Sequence, residues 1–167
     1  MLKRRNFIIA TVGFGLSPYL QAKTTKPFEK KFIKVKALIA SVQAHMFPDK
    51  SMLPSAVAIK SVDFLFETIN HPSYDKDIRV FVVEGAEEFA RLTHGKFLAM
   101  THTEKEKALR DYEESSYGSS WLSRIMTLTM EGMFSDPIYG SNTNELGWKA
   151  LGAFGGQPRP KKRYLDV

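Results

Sequence analysis

The stretch IRVFVVEGAEEFARL, residues 78–92, decides the fold class. Ile78, Phe81, Val82, Gly85, Ala86, Phe89 and Leu92 fall on one stripe at the spacing of an α-helix, while Arg79, Glu84, Glu87, Glu88 and Arg91 fall largely outside it. Glu87 stands four residues ahead of Arg91, the favourable order for an ion pair on a helix surface, which contributes roughly 0.2–0.5 kcal/mol. The stretch predicts an amphipathic helix with one face toward a core.

The same period continues on both sides. Upstream, Phe32, Val35, Lys36, Ile39, Val42 and Met46 trace a first helix that stops at Phe47-Pro48-Asp49. Pro54 suits the first turn of a second, whose inner face is Ala58, Val62, Leu65, Phe66 and Ile69 and which ends at His71-Pro72-Ser73. Downstream, Thr103-Glu-Lys-Glu106 has the pattern of a capping box, and a longer helix after Gly118 turns Trp121, Leu122, Ile125, Leu128, Thr129 and Met133 inward. No run alternates long enough to argue for a sheet, and there is no internal repeat. The expectation is a single all-α domain of five to six helices over residues 23–157, with an irregular C-terminal loop. Gly155-Gly156-Gln-Pro158-Arg-Pro160 cannot continue a helix, so residues 158–167 are expected to form a basic, extended tail.

With 167 residues, 43% of them apolar, the chain can bury one ordinary core. Its formal charge of +6 is unevenly placed: residues 1–36 carry +8 and the remainder −2. A nucleic-acid footprint needs a basic face spread over the folded body, which this distribution does not supply. The absence of cysteine excludes disulfides, thiolate-bound zinc, cysteine-ligated iron–sulfur clusters and covalently attached haem.

Residues 1–22 have the anatomy of a signal peptide. Lys3, Arg4 and Arg5 lead into a weakly hydrophobic stretch from Phe7 to Leu16, followed by Pro18 and a plausible cleavage site after Ala22. The stretch is too short to cross a hydrocarbon core of roughly 30 Å. Arg4-Arg5 followed by Phe7 resembles the twin-arginine pattern, which exports folded proteins to the periplasm; an ordinary secretory signal is the other reading. Folded export is normally used by chains that collect a cofactor in the cytoplasm, yet no cofactor site is visible here.

The four histidines (45, 71, 94 and 102) show no metal-ligand spacing and read as surface or helix-end residues. Glu87-Glu88 and Glu113-Glu114 are neighbours pointing about 100° apart on a helix, so neither pair converges on one substrate. There is no glycine-rich phosphate loop and no nucleophile elbow. Met126, Met130 and Met133 have core spacing and read as packing. No catalytic, cofactor-binding or metal residue is assigned to this chain.

One segment interrupts the helical pattern. Asp136-Pro137-Ile-Tyr139-Gly140-Ser141-Asn142 is rich in turn formers, and Tyr139 and Trp148 add large amphipathic rings. Such a loop can serve a partner as an interface, or fold back on its own core with Trp148 as a plug. Asp136-Pro137-x-Tyr139-Gly140-x-Asn142, then Gly147-Trp148 and Gly152, resembles the DPxYGGN…GW…G signature of the gluconate 2-dehydrogenase subunit 3 family, over roughly residues 33–157. Ser141 replaces the usual second glycine, and Ala153-Phe154-Gly155-Gly156 replaces a Gly-Phe-Pro-Gly-like ending.

The resemblance implies a small, non-catalytic subunit of a membrane-associated periplasmic dehydrogenase. In such complexes a large flavoprotein with FAD oxidises gluconate or a related sugar, sugar acid or polyol, and a cytochrome c subunit with haem passes electrons onward. The resemblance also implies that the small subunit carries the export signal for the flavoprotein, and that the loop residues Asp136, Pro137, Tyr139, Gly140, Asn142, Gly147 and Trp148 face that partner. An independent exported helical binding module and an unrecognised hydrolase are the alternatives.

Overall fold

A computed structural model describes residues 25–163; the expected signal residues Arg4, Arg5 and Phe7 lie outside them. The described residues hold six α-helices: α1 (Thr25–Met46), α2 (Ser61–Asn70), α3 (Lys76–Leu92), α4 (His102–Glu113), α5 (Ser116–Phe134) and α6 (Leu146–Ala150). No strand occurs among the described residues, so the all-α expectation holds. None of the described helices is long and apolar enough to cross a membrane.

Helices α1 and α5 form the centre, with α2, α3 and α4 packed around them and α6 against the end of α5. The stripes read from the sequence meet there: Phe32, Ile39 and Val42 of α1, Leu65 and Ile69 of α2, Val82 and Phe89 of α3, and Trp121, Ile125 and Leu128 of α5 are fully buried. Phe89 lies 4.9 Å from Phe97, 5.0 Å from Tyr112 and 6.1 Å from Trp121, ring centre to ring centre. The Trp121 indole N–H donates to the Val82 carbonyl at 3.0 Å. Gly85 belongs to the inner stripe because the indole occupies its side-chain space: a Cβ there would sit 2.0 Å from Trp121 Cδ1.

A buried polar triad pins three helices in register. Gln43 of α1 donates to Thr129 Oγ1 of α5 at 2.9 Å and accepts the Ser61 hydroxyl of α2 at 3.1 Å. Every member is satisfied, which is the condition for a polar network to specify a core.

Several expectations need correction. The second helix starts at Ser61 and not near Pro54: residues 56–60 form turns, Ala58 is exposed, and Lys60 is left-handed at φ 56°. The bond from Ser61 to Gln43 and the Ala56 N–H to Phe47 carbonyl bond at 3.0 Å hold this segment against the end of α1 instead. The capping box is Thr101–Glu104 rather than Thr103–Glu106; the Glu104 carboxylate accepts the Thr101 N–H at 2.7 Å, which leaves Glu106 free to face α1. Arg79 is buried, at 8% exposure, because its guanidinium donates to the Ile69 and His71 carbonyls at the end of α2, at 2.6 and 2.7 Å. Leu92 is exposed, and of the three α5 methionines only Met133 is buried; Met126 and Met130 face outward. Residues 158–163, the described part of the tail, are non-helical as expected, but Arg159 and Arg163 fold them back onto the body.

Candidate functional site

Several residues of the loop after α5 have identifiable structural tasks. Asp136 caps the short 3-10 turn Pro137–Tyr139 by accepting the Ile138 N–H at 3.0 Å, with Pro137 at its first position. Gly140 ends that turn at φ 82°, a left-handed conformation that favours glycine. Asn142 is fully buried: its amide donates to the Ser135 carbonyl at 2.9 Å, and its carbonyl accepts the Gly147 N–H at 2.8 Å. Ser141, the departure from the family pattern, donates its hydroxyl to the Ile59 carbonyl at 2.6 Å, a bond that glycine cannot make.

Gly147 lets α6 touch α5. A Cβ there would lie 2.0 Å from the Met133 carbonyl oxygen. The approach buries Trp148 to 8% exposure, and its indole N–H donates to the Phe134 carbonyl at 2.8 Å. The ring is then covered from outside by the Arg159 guanidinium, 4.5 Å from the ring centroid. Arg159 also bridges Asp136 at 3.0 Å and Glu145 at 3.2 Å. Trp148 is thus a plug in the free chain. Tyr139 is half-buried, Gly140 exposed, and the apolar surface beside them comes from Leu151 and Phe154.

The family model for gluconate 2-dehydrogenase subunit 3 matches residues 34–156, from the third turn of α1 through the whole of this loop. The chain belongs to that family. No curated protein and no solved structure matches it.

In this subunit 3 chain the matched region ends at Gly156, so Arg159 lies beyond it. Sequence reasoning assigned Arg159 only to a basic tail; nothing in its immediate neighbours marks the two carboxylates and the ring that it joins. A second feature was hidden by distance along the chain. The buried His45 side chain lies 2.7 Å from the Glu106 carboxylate, in an N–H···O hydrogen bond between α1 and α4. That bond, together with Arg110 Nε at 2.9 Å, holds the Glu106 carboxyl below the usual carboxylate range. His45 is a helix-end residue as expected, but it has a partner.

The pair lines a groove of about 390 Å³ that also contains Arg110, Ser123 and Met126. No hydrogen bond among the described residues joins Ser123 to His45, so no nucleophile–base relay is assembled. No group of three or more His, Asp or Glu residues among them has metal-binding geometry.

Proposed function

We propose that this chain is the non-catalytic small subunit of a membrane-associated periplasmic flavin-dependent dehydrogenase acting on gluconate or a related sugar acid, sugar or polyol. The catalytic flavoprotein holds FAD, and a cytochrome c subunit with haem carries electrons away. This chain supplies the twin-arginine signal through Arg4 and Arg5, crosses with the flavoprotein and stabilises it afterwards. The observation that carries the reading is the family match over residues 34–156.

The arrangement of polar groups supports an accessory role. Asn142 and Ser141 spend their hydrogen bonds on the chain's own backbone, and Asp136 spends its on the Ile138 N–H and Arg159, which builds a surface and leaves the redox chemistry to the partner. A dehydrogenase assembled this way meets the requirement for folded export through the FAD of its large subunit.

The test is co-production of this chain, tagged, with the proposed flavoprotein partner from the same source. Flavin absorbance and sugar-acid dehydrogenase activity should co-elute with the tag from the periplasmic fraction, and omission of this chain should leave that fraction inactive. If the tagged chain elutes alone while the flavoprotein is exported and active without it, the chain is an independent helical binding module.

A further inference from the structure

We propose that the Trp148 ring and the carboxylates of Asp136 and Glu145 form an arginine receptor whose occupant in the free chain is Arg159. In the complex an arginine of the catalytic flavoprotein takes that place. The second half rests on the function proposed above; the first concerns this chain alone.

The chemistry of the cage selects a guanidinium. Arg159 stacks over the indole with its carbon 4.5 Å from the ring centroid while Nε meets Asp136 at 3.0 Å and a terminal nitrogen meets Glu145 at 3.2 Å. A planar, delocalised cation can stack on an aromatic face and direct N–H groups sideways to two carboxylates at once; a compact ammonium cannot. Two carboxylates facing one cation also leave the emptied cage negatively charged, so it would attract another cation of the same shape.

The cage walls are fixed to α5, whereas, among the described residues, the occupant arrives on a strap that adds no backbone hydrogen bond to the body. The Asn142 hydrogen bonds, the contact of Gly147 with the Met133 carbonyl and the Trp148–Phe134 bond fix the cage walls to α5. By contrast, among the described residues no backbone hydrogen bond joins residues 154–162 to the body. The strap is also tied by the Arg163–Glu67 ion pair at 2.5 Å and by Gly155, where a Cβ would lie 2.2 Å from the Trp148 ring. Gly152 and Gly156, at φ 62° and 74°, give the chain two turning points before Arg159. The cage lies inside the family-matched region, which ends at Gly156, and Arg159 lies beyond it. Leu151 and Phe154 stand exposed beside it at 57% and 81%. An arginine socket rimmed by apolar side chains has the composition of an interface hot spot.

The test uses the full mature chain carrying Arg159→Ala, titrated with Nα-acetylarginine methylamide and, separately, with the lysine analogue, while tryptophan fluorescence is recorded. Trp121 is fully buried, so a ligand-dependent change reports on Trp148. The variant should respond saturably to the arginine compound, with half-saturation on the order of 1–10 mM, as expected for a single stacked ion pair. Wild type should need about tenfold more, because its own tethered Arg159 competes at high effective concentration. Adding Asp136→Asn, which keeps the cap on Ile138, should remove the response. A variant with unchanged circular dichroism and no saturable response, or one that answers lysine equally, overturns the receptor.

For the exchange, Arg159→Ala should tighten association with the flavoprotein several-fold, since a competitor is lost. Unchanged or weaker association overturns the exchange. If wild type and variant both fail to bind the flavoprotein, the exchange falls together with the partnership, while the titration of the chain alone still decides the receptor.

Discussion

Gly140 and Gly147 occupy the same signature loop for different physical reasons, and alanine separates them. Gly140 is left-handed with nothing within 4 Å of a would-be Cβ, so Gly140→Ala should cost only the conformational term, about 1–2 kcal/mol. Gly147→Ala drives a methyl into the Met133 carbonyl and must push α6 off α5, so we expect about 3 kcal/mol. Urea midpoints give the ranking; equal losses would contradict the close-approach account. Both glycines were legible as members of the signature, but only the backbone path tells a turn from a contact. His45 and Glu106 were not legible as a pair at all, since 61 positions separate them. Their chemistry gives a pH prediction. Glu106 is held below the ordinary value of 4.5 by His45 and then Arg110, and Glu104 is lowered by the Thr101 N–H and hydroxyl. A carboxyl lowered in the folded state binds protons more tightly when unfolded. Its stabilising contribution is therefore full above pH 4.5 and is lost as pH falls through the lowered folded value. The stability gap between wild type and the Glu104→Gln, Glu106→Gln double variant should narrow from pH 7 to pH 3 in urea titrations. A constant gap would show that neither carboxylate is linked to folding.

At the scale of elements, α5 was readable because its apolar spacing coincides with what it buries: the inner residues named for it, from Trp121 to Met133, are all buried, whereas in α3 the stripe ran one turn too far at Leu92 and missed the burial of Arg79. The start of α2 was misread because Pro54 gave a valid local signal that the long-range tie from Ser61 to Gln43 overrides. The α4 cap was misplaced by two residues: Thr103-x-x-Glu106 fits the pattern, but Thr101-x-x-Glu104 forms the cap, and Glu106 binds His45 instead. Arg79 shows how an inward-facing charge can complete an element boundary. It binds the last carbonyls of α2 from within α3, and its guanidinium carbon lies 5.3 Å from the centre of the Phe28 ring on α1. Arg79→Met keeps much of the apolar stem but leaves those carbonyls without their donor, for an expected loss of about 2–3 kcal/mol. Arg79→Lys should recover only part of it, because one ammonium cannot reproduce the guanidinium fork. Chemical denaturation of both variants checks this; full recovery by lysine would mean that charge alone, without the two-carbonyl geometry, holds the boundary.

For the molecule as a whole, the basic excess lies in the leader, where Lys3, Arg4 and Arg5 supply +3, and in the residues up to Lys36, most of them on α1, which supply +5. Residues 1–36 carry +8 against −2 for the rest, and in the tail Arg159 and Arg163 are engaged by Asp136, Glu145 and Glu67. The signature loop was legible because it is contiguous. The burial of Trp148 and the clasp by Arg159 were not, because both depend on the chain returning over itself. The leader lies outside the described residues, so its role is decided by function. Arg4→Lys with Arg5→Lys keeps the charge of the leader but replaces planar guanidinium groups with ammonium groups, which specific recognition does not treat as equivalent. An ordinary secretory signal depends on positive charge and apolarity, and should tolerate the exchange. A twin-arginine signal should fail, and if the flavoprotein travels with this subunit, both should remain in the cytoplasm although the flavoprotein's own sequence is unchanged. Dehydrogenase activity and flavoprotein are to be measured in the periplasmic and membrane fractions against the cytoplasm. A flavoprotein that arrives fully active while this chain stays behind would refute shared export. Normal passage of both would make the leader an ordinary secretory one and remove the requirement for folding before export.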